Sequence, residues 1–545
     1  MTANAPFLLS DEQVRKYIAD GYIRIDYQVD PQVHDTIARK LTEMIEEGPN
    51  LGNNVLPRVP EFRHVLNAPE VRGALVSLLG PDYIEHPHRY CHDRRPLEEN
   101  PESISELVGK SAHQDSYTPM SSPRQHYPRL ARIIYYPQDT PIELGPTHVT
   151  AGTSYHKRVT DGDRRDGQPM SGEAGSLWIT HFDVIHATGV NVSEQIRHMI
   201  KFIYVMRGEP TGPAWDCREQ EWRNPAEREC PWDLEVAWSH IWDWMCGKEQ
   251  RYESFRAGAR AAAASSNGAP MQLAARAAGA DLDDVLTAIN ELGALGTDAA
   301  PAVPALASLL NQDPQPVRVA ATYALGAIGA PAVAHLVERL DEAGRGGWEK
   351  DGQVGWDEGS VHMPDEAHAL AAIGAPAVEP LIRMLRDGGE WGRICAAFAL
   401  GEMDGGGSTA TPELTAMLDE DSHRLVRTAV DSLGMVGGDA AKAVPRIARF
   451  LVENRPDWEE NLTGRRAWCA RDRVRINAAI ALMRLGEVPA AEEALVQALD
   501  DETGYVSLYA AEALRTQGTP AGLQAALEMA LAQRWDASLS AERPW

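Results

Sequence analysis

Apolar and polar positions follow two different rhythms along this chain. In the first half, FLLSDEQVRKYIADGYIRID opens with one helical face, Val14, Ile18 and Tyr17, which Ser10 can cap and Gly21 ends. The alternating YIRID follows, then a second amphipathic stretch, DTIARKLTEMIEE. From about residue 83 the pattern becomes short β-like runs separated by turn residues: YIEHPHRY, LARIIYYPQ, THVTAG, SLWITH, HATGVNV and RHMIKFIYVM. Short strands with Gly and Pro between them predict an antiparallel barrel or sandwich. The Trp-rich segment 215–256 reads as helical, closing a domain over 1–256.

An Ala/Gly/Ser-rich stretch, 257–278, reads as a linker, helical in part. Beyond it, over 279–545, a helix-turn-helix pattern recurs: ELGALGTDAAPAVPALASLL, YALGAIGAPAVAHLVERL, ALAAIGAPAVEPLIRML, SLGMVGGDAAKAVPRIARFL, with a degenerate copy at 399–418 and weaker copies at 481–499 and 513–531. With turns at Gly296, Gly329, Gly374, Asp404, Gly437, Gly486 and Gly518, the steps are 33, 45, 30, 33, 49 and 32 residues. Glycine supplies the positive φ that ends one helix, and the Ala-Pro after it opens the next. One such pair cannot bury its apolar faces alone, so the units stack into an all-α solenoid. Several first helices carry Val-Arg near their start, at Val317-Arg318, Val426-Arg427 and Val474-Arg475. The array resembles HEAT-like repeats of the phycobilisome-lyase type. Two Trp-bearing insertions, 344–366 and 453–473, fall in equivalent places between repeats. They read either as a binding edge or as tolerated loops.

Composition narrows the class. The chain has 545 residues, too many for one core. Its net charge of -27 opposes phosphate backbones, so nucleic acid is not expected as a partner. No apolar run reaches the ~18 residues a membrane helix needs, and the N-terminus lacks the basic and apolar regions of a secretory signal. The six cysteines are scattered without a C-x-x-C pair, as in reduced thiols of a cytoplasmic protein.

Candidate chemistry gathers in KSAHQDSY. On an extended segment His113 and Asp115 share a face, so one imidazole and one carboxylate can reach one ion. A third ligand would complete a 2-His-1-carboxylate facial triad. Alone, H-x-D is weak. Downstream, His186 lies in a strand-like stretch, eleven residues before Arg197. An antiparallel return through GVNVSEQ would set Arg197 beside it, where a cation can hold the far carboxylate of 2-oxoglutarate. Thr188 could add a hydroxyl to the same anion.

These segments resemble the phytanoyl-CoA dioxygenase family over roughly 7–210. The matching parts run in family order: LSDEQVRKYIADGYI; the H-x-D of His113 and Asp115; ELGPTHVTAGTSYHK, similar to the family's ENGP…PGSH segment; and IHATGVNVSEQIRHMIKFIY. The resemblance implies a double-stranded β-helix (jelly-roll, cupin-like) with flanking helices. It implies iron(II) on His113, Asp115 and His186, with Arg197 anchoring 2-oxoglutarate and O2 as second co-substrate. The activity it implies is hydroxylation of a C–H bond in a small or medium organic substrate, with release of succinate and CO2. Related halogenases lack the carboxylate that Asp115 supplies here. The PGSH core departs to Ala151-Gly152-Thr153-Ser154-Tyr155-His156, and Leu144 replaces the Asn of ENG. Both changes bear on the substrate rather than the metal.

Other candidates have blander readings. His181 is a competing third ligand, sixteen residues before Arg197. The run His86-Pro87-His88-Arg89-Tyr90-Cys91-His92 looks metal-like but reads as a strand bordering the pocket. Arg94 and Arg95 suit an acidic substrate or plain surface charge. Trp178 and Tyr135 either line the cavity or pack the core. CPWDLEVAWSHIWDWMCG reads as a packed helix. Two other functions compete with the oxygenase. One is a catalytically silent scaffold that binds a protein partner through the repeats. The other is a zinc or manganese hydrolase on a cupin-like barrel, in which Arg197 would have no task.

Overall fold

The computed structural model describes residues 7–47, 55–98, 102–115, 123–253, 255–256, 270–345, 361–453, 455–458, 461–463 and 466–532. Helix Asp11–Asp20 starts at a capping box, in which Ser10 and Gln13 bond each other's backbone, and stops at Gly21 with φ 83°. It leads into β1 (Tyr22–Arg24), and helices Pro31–Glu47 and Pro69–Leu79 follow. The remaining strands are β2 (Ile84–Arg94), β3 (Leu130–Tyr135), β4 (His148–Val149), β5 (Gln168–Pro169), β6 (Leu177–His181), β7 (His186–Ala187) and β8 (Arg197–Val205).

Two sheets form the β-rich half. The larger has the order β1-β6-β3-β8-β2 and the smaller β5-β4-β7, all pairs antiparallel. This is a double-stranded β-helix with flanking helices. In β3, Ala131, Ile133 and Tyr135 share one face, and Leu130, Arg132 and Ile134 share the other. Tyr135 meets His34 of helix Pro31–Glu47 through a 2.7 Å hydrogen bond and stands edge-on to Phe62. The opposite face therefore looks between the sheets. Every residue of β3, β6 and β8 is buried, which explains why these strands read as continuous apolar runs.

The expected helix over 215–256 is shorter than the sequence suggested. Among the described residues of that segment Glu235–Met245 is the one long α-helix, and the chain before it is irregular. Pro225 and Pro231 punctuate that stretch and deny it a helical hydrogen-bond ladder. Trp238, Trp242 and Trp244 are fully buried, so the tryptophan run is packing.

Of the expected linker, 257–269 lies outside the described residues, and Pro270–Ala277 is a helix. From there the chain is a helical solenoid. All seven repeat turns have positive φ, from Asp404 at 50° and Gly296 at 56° to Gly329 at 80°. At Gly329, Gly374, Gly437 and Gly518 an added Cβ would meet nothing, so the backbone angle is what selects glycine. Asp404 is followed by Gly405 at 78°. Of the first insertion, 346–360 lies outside the described residues. Within the second, Trp458 packs on Phe450, and a short hairpin joins Asn461–Thr463 to Arg466–Cys469.

The array lies against the β-rich half along its first helices, and one hydrophobic core runs through both. Tyr323 of helix Gln315–Ile328 bonds His126, His368 of helix Asp365–Ile373 stacks on His126 with centroids 3.9 Å apart, and Tyr509 of helix Gly504–Gln517 bonds His86. Arg129, almost wholly buried, joins Glu209 by two bonds of 2.8 and 2.9 Å and Glu402 of the array by one of 2.8 Å.

Candidate metal centre

Helix Ile104–Ser111 ends one residue before Ala112, and the chain then runs extended alongside β7. His113 N–H donates to the His186 carbonyl at 2.9 Å, and His186 N–H returns the bond at 3.0 Å. The H-x-D segment thus becomes the next member of the small sheet, and the reciprocal pair brings the two imidazoles to 4.4 Å. Asp115, two residues on, falls on the same face. Among the described residues, His113, Asp115 and His186 are the one group whose ligand atoms lie close enough to share a metal ion, all within 4.8 Å of one another.

Hydrogen bonds around the ligands select the atoms that face inward. His113 Nδ1 lies 2.6 Å from the Ser111 carbonyl, and His186 Nδ1 lies 3.1 Å from that of Val184. A carbonyl only accepts, so both Nδ1 atoms carry the proton and both Nε2 atoms keep a lone pair. Asp115 Oδ1 is 3.9 Å from His113 Nε2 and 4.0 Å from His186 Nε2. Its other oxygen, Oδ2, accepts from Arg132 Nη1 at 2.6 Å and from Lys201 Nζ at 3.1 Å. Two imidazole nitrogens and one carboxylate oxygen are left converging, the donor set of a facial triad. Burial pushes the Asp115 carboxyl up, but Lys201, Arg132 and the two histidines outweigh it and hold it well below the usual carboxylate range. Burial, then Arg132, keeps His186 neutral. Arg132 Nη1 also approaches His186 Nε2 at 3.5 Å, and a divalent ion would compete with that contact. The centre opens on one side: the His113 side chain is 46 % exposed, against 8 % for His186.

The segment is also held from behind. Gln114 points away from the ligands and donates to the carbonyls of His156 and Asp183 at 2.9 and 2.8 Å. The Arg124 guanidinium donates to the Asp115 carbonyl and to the Asp183 carboxylate.

Residues 6–199 match the family model described as phytanoyl-CoA dioxygenase (PhyH), and the second half matches HEAT repeats over 367–457 and PBS lyase HEAT-like repeats over 317–342 and 474–501. The matches stand in that order along the chain, a PhyH domain and then HEAT-like repeats. No curated protein sequence matches it. Solved structures similar to the PhyH domain include a non-heme alpha ketoglutarate dependent carbocyclase, SnoK, from nogalamycin biosynthesis, at 17 % identity over 38 % of this chain and 88 % of that one, TM-score 0.30. CytC3 with Fe(II) and alpha-ketoglutarate matches at 16 % over 37 % and 79 %, TM-score 0.26. AviO1 from Streptomyces viridochromogenes Tue57 matches at 12 % over 35 % and 93 %, TM-score 0.27.

In the PhyH domain Arg197 does not return beside His186 in a hairpin. The chain crosses between the two sheets after Thr188, so β7 pairs with β4 while β8 pairs with β2 and β3. A return within one sheet would have left both residues on the same wall. Arg197 is 1 % exposed and bonds the Gly145 carbonyl at 2.9 Å and the His92 carbonyl at 3.3 Å. Among the described residues its buried Nε has no hydrogen-bond partner. Thr188 is bonded through its backbone to Ser111.

His181 is buried and accepts from the Asp183 amide through Nδ1, apart from the ligand group. Of the histidine-rich strand, His86 and His88 bond Tyr509 and Tyr505 of the array, whereas the His92 ring lies tilted against Tyr90, near Lys201 and Asp115. Arg94 and Arg95 are exposed at the end of β2. Trp178 packs edge-on to Tyr136 between the sheets, and Tyr135 faces the helices. Sequence reasoning missed Arg132, Lys201, Gln114 and Arg124. Arg132 and Lys201 did leave a signal, each being a lone charge inside an apolar strand run, LARIIY and MIKFIYV. In strands buried on both faces, such a charge has to meet a partner inside.

Proposed function

We propose that this chain is an iron(II)- and 2-oxoglutarate-dependent dioxygenase that hydroxylates a C–H bond of a small or medium organic substrate. The observation that carries the reading is the convergence of His113 Nε2, Asp115 Oδ1 and His186 Nε2 on one point, with every remaining polar atom of the three side chains already bonded. His113, Asp115 and His186 would hold the iron. Arg197, buried and with an Nε–H that no described residue accepts, is the group to hold the far carboxylate of 2-oxoglutarate, with Thr188 beside the crossing.

When bound, iron(II) with 2-oxoglutarate and O2 supplies the oxidising chemistry: one oxygen atom goes to the substrate as hydroxyl and the other to succinate, as CO2 leaves. The protein's own part is positional. The Ser111 and Val184 carbonyls fix the tautomers of His113 and His186. Arg132 and Lys201 hold Asp115 Oδ2 at 2.6 and 3.1 Å, and the longer contact of Lys201 with Oδ1, at 3.4 Å, is the one a bound ion would displace. The buried walls of β3, β6 and β8 keep water from the inner side. The exposed edge at His113 leaves the approach for substrate. An oxygenase with this layout needs no membrane, and among the described residues no helix is long and apolar enough to cross one.

Anaerobic titration of the metal-free protein with iron(II), then 2-oxoglutarate, tests this. A visible metal-to-ligand charge-transfer band should form, vanish in His113→Ala, and need at least about 30-fold more 2-oxoglutarate in Arg197→Ala, the loss of one charged contact of about 2 kcal/mol. Absence of the band in iron-loaded wild-type protein would overturn the reading and leave a repeat scaffold.

A further inference from the structure

The repeats contact the loop that backs the metal-ligand strand. Helix Gln315–Ile328 begins beside the loop Tyr155-His156-Lys157, the segment that departs from PGSH. Arg318, 1 % exposed, donates through Nη2 to the Tyr155 carbonyl at 2.5 Å. Its Nε donates to Gln315 Oε1 at 3.0 Å, and that same oxygen accepts the Lys157 amide at 2.9 Å. The array therefore grips the loop on both sides of His156. The His156 carbonyl, held between these two bonds, accepts from Gln114, the residue between the two ligands of the H-x-D segment. Two hydrogen bonds thus separate an array side chain from the metal-ligand strand.

A buried charge network fixes the grip. Arg318 Nη1 meets Asp365 Oδ1 at 2.5 Å, and Lys157 Nζ meets the same oxygen at 3.0 Å. Asp365 starts the first helix of the next repeat, and its side chain is fully buried. Arg475 likewise pairs with Asp501 one repeat on, so at two of the three Val-Arg positions the arginine ties neighbouring repeats together. Arg318 adds a bond out to the PhyH domain. A second line runs parallel to the first. The Arg124 amide donates to the Val361 carbonyl, at the described end of the first insertion, at 2.7 Å, and its guanidinium donates to the Asp115 carbonyl. Val361 and Met363 are fully buried.

We propose that Arg318 and Gln315 are positioning residues of the metal centre, which act through the Tyr155–Lys157 loop and Gln114 to set the His113–Asp115 segment. The ligand of this face of the solenoid is then the chain's own PhyH domain. A buried guanidinium aimed at a backbone carbonyl stiffens one conformation of the loop, and a two-bond relay transmits that to the ligands, as outer partners of metal ligands do elsewhere.

The inference rests on the metal-site reading above, and the test separates the two. Full-length, metal-free protein is titrated with cobalt(II) in the absence of substrate, and the dissociation constant is read from the visible absorption of the bound ion. Arg318→Ala and Gln114→Ala should each weaken cobalt by about 10- to 100-fold, Arg318→Lys by less, and the double variant no more than the worse single one, since both cut one relay. Gln315→Ala leaves no buried charge behind and should weaken cobalt about tenfold even if Arg318→Ala does not fold. Leu495→Ala, buried in helix Glu492–Gln497, destabilises the array remote from this contact and should leave cobalt affinity unchanged. Cobalt affinities of Arg318→Ala and Gln315→Ala within about twofold of wild type, multiplying effects of Arg318→Ala and Gln114→Ala, or an equal loss in Leu495→Ala would overturn the inference while leaving the metal site standing. A wild-type protein that takes up no cobalt would overturn both.

Discussion

Removing a metal-ligand carboxylate from an ion-free protein usually relieves repulsion among clustered acids. Here the sign should reverse. Asp115 is the one acid among the three candidate ligands and faces two buried cations, Arg132 with a side chain 0 % exposed at 2.6 Å and Lys201 at 3.1 Å. Breaking a buried pair by deleting one partner costs about 3–5 kcal/mol, because the remaining charge stays out of water. Arg132 retains Thr180 Oγ1 at 3.2 Å and His186 Nε2 at 3.5 Å, which places Asp115→Ala near the lower end, about 3 kcal/mol. Asp115→Asn keeps an oxygen in place and loses only the charge, so about 1–2 kcal/mol is expected. His113→Ala removes a half-exposed ring with one carbonyl bond and should cost about 0.5 kcal/mol or less. Urea unfolding with chelator present, at one pH, reads all three. An Asp115→Ala midpoint at or above wild type would refute the reasoning, since it would mean Arg132 and Lys201 do not depend on that carboxylate. The practical consequence is that Asp115→Asn, rather than Asp115→Ala, isolates the loss of a metal ligand from the loss of a buried ion pair.

Arg129→Met should destabilise by about 3–5 kcal/mol, leaving Glu209 and Glu402 buried without their cation. Those carboxylates would then take up protons more readily folded than unfolded, so the deficit in urea midpoint should shrink from pH 8 to pH 5, and a pH-independent deficit would count against the account. His368 is held near 3, by burial first, with Lys157 and Arg318 reinforcing it and Asp365 opposing. Its folded value lies below its unfolded one of 6.5, so its contribution is full above pH 6.5 and falls as pH drops toward 3, by about 2 kcal/mol at pH 5. Replacing His368 by Phe should flatten that part of the stability-pH curve. Because one core runs through both halves, calorimetry should show the PhyH domain and the repeats unfolding in one transition. Two well-separated transitions would show that the interface contributes little.

The repeats were legible because their signal is local. A glycine that must adopt positive φ recurs at fixed spacing, and the backbone has positive φ at all seven sites, including the Asp404 copy that lacks the glycine. The β-rich half was legible as strands because its buried runs are apolar and punctuated by turns, and the expected third ligand lies across a reciprocal backbone pair from the first. Less was legible where proline-rich irregular chain packs by tryptophan, as over 215–234, because burial there follows no period. The hairpin expected between His186 and Arg197 failed for a related reason. Eleven residues can either turn back within one sheet or cross to the facing one, and only the pairing partners of β8 decide.

The two folds, the order of candidate ligands and the charge pattern could be read from spacing along one chain. Tertiary structure decided which atoms of those ligands face inward, that Arg132 and Lys201 share Asp115, and that the face of the solenoid is filled by the PhyH domain. Those facts rest on contacts between residues up to 423 positions apart, as between His86 and Tyr509, and no periodicity encodes which distant side chains burial will bring together.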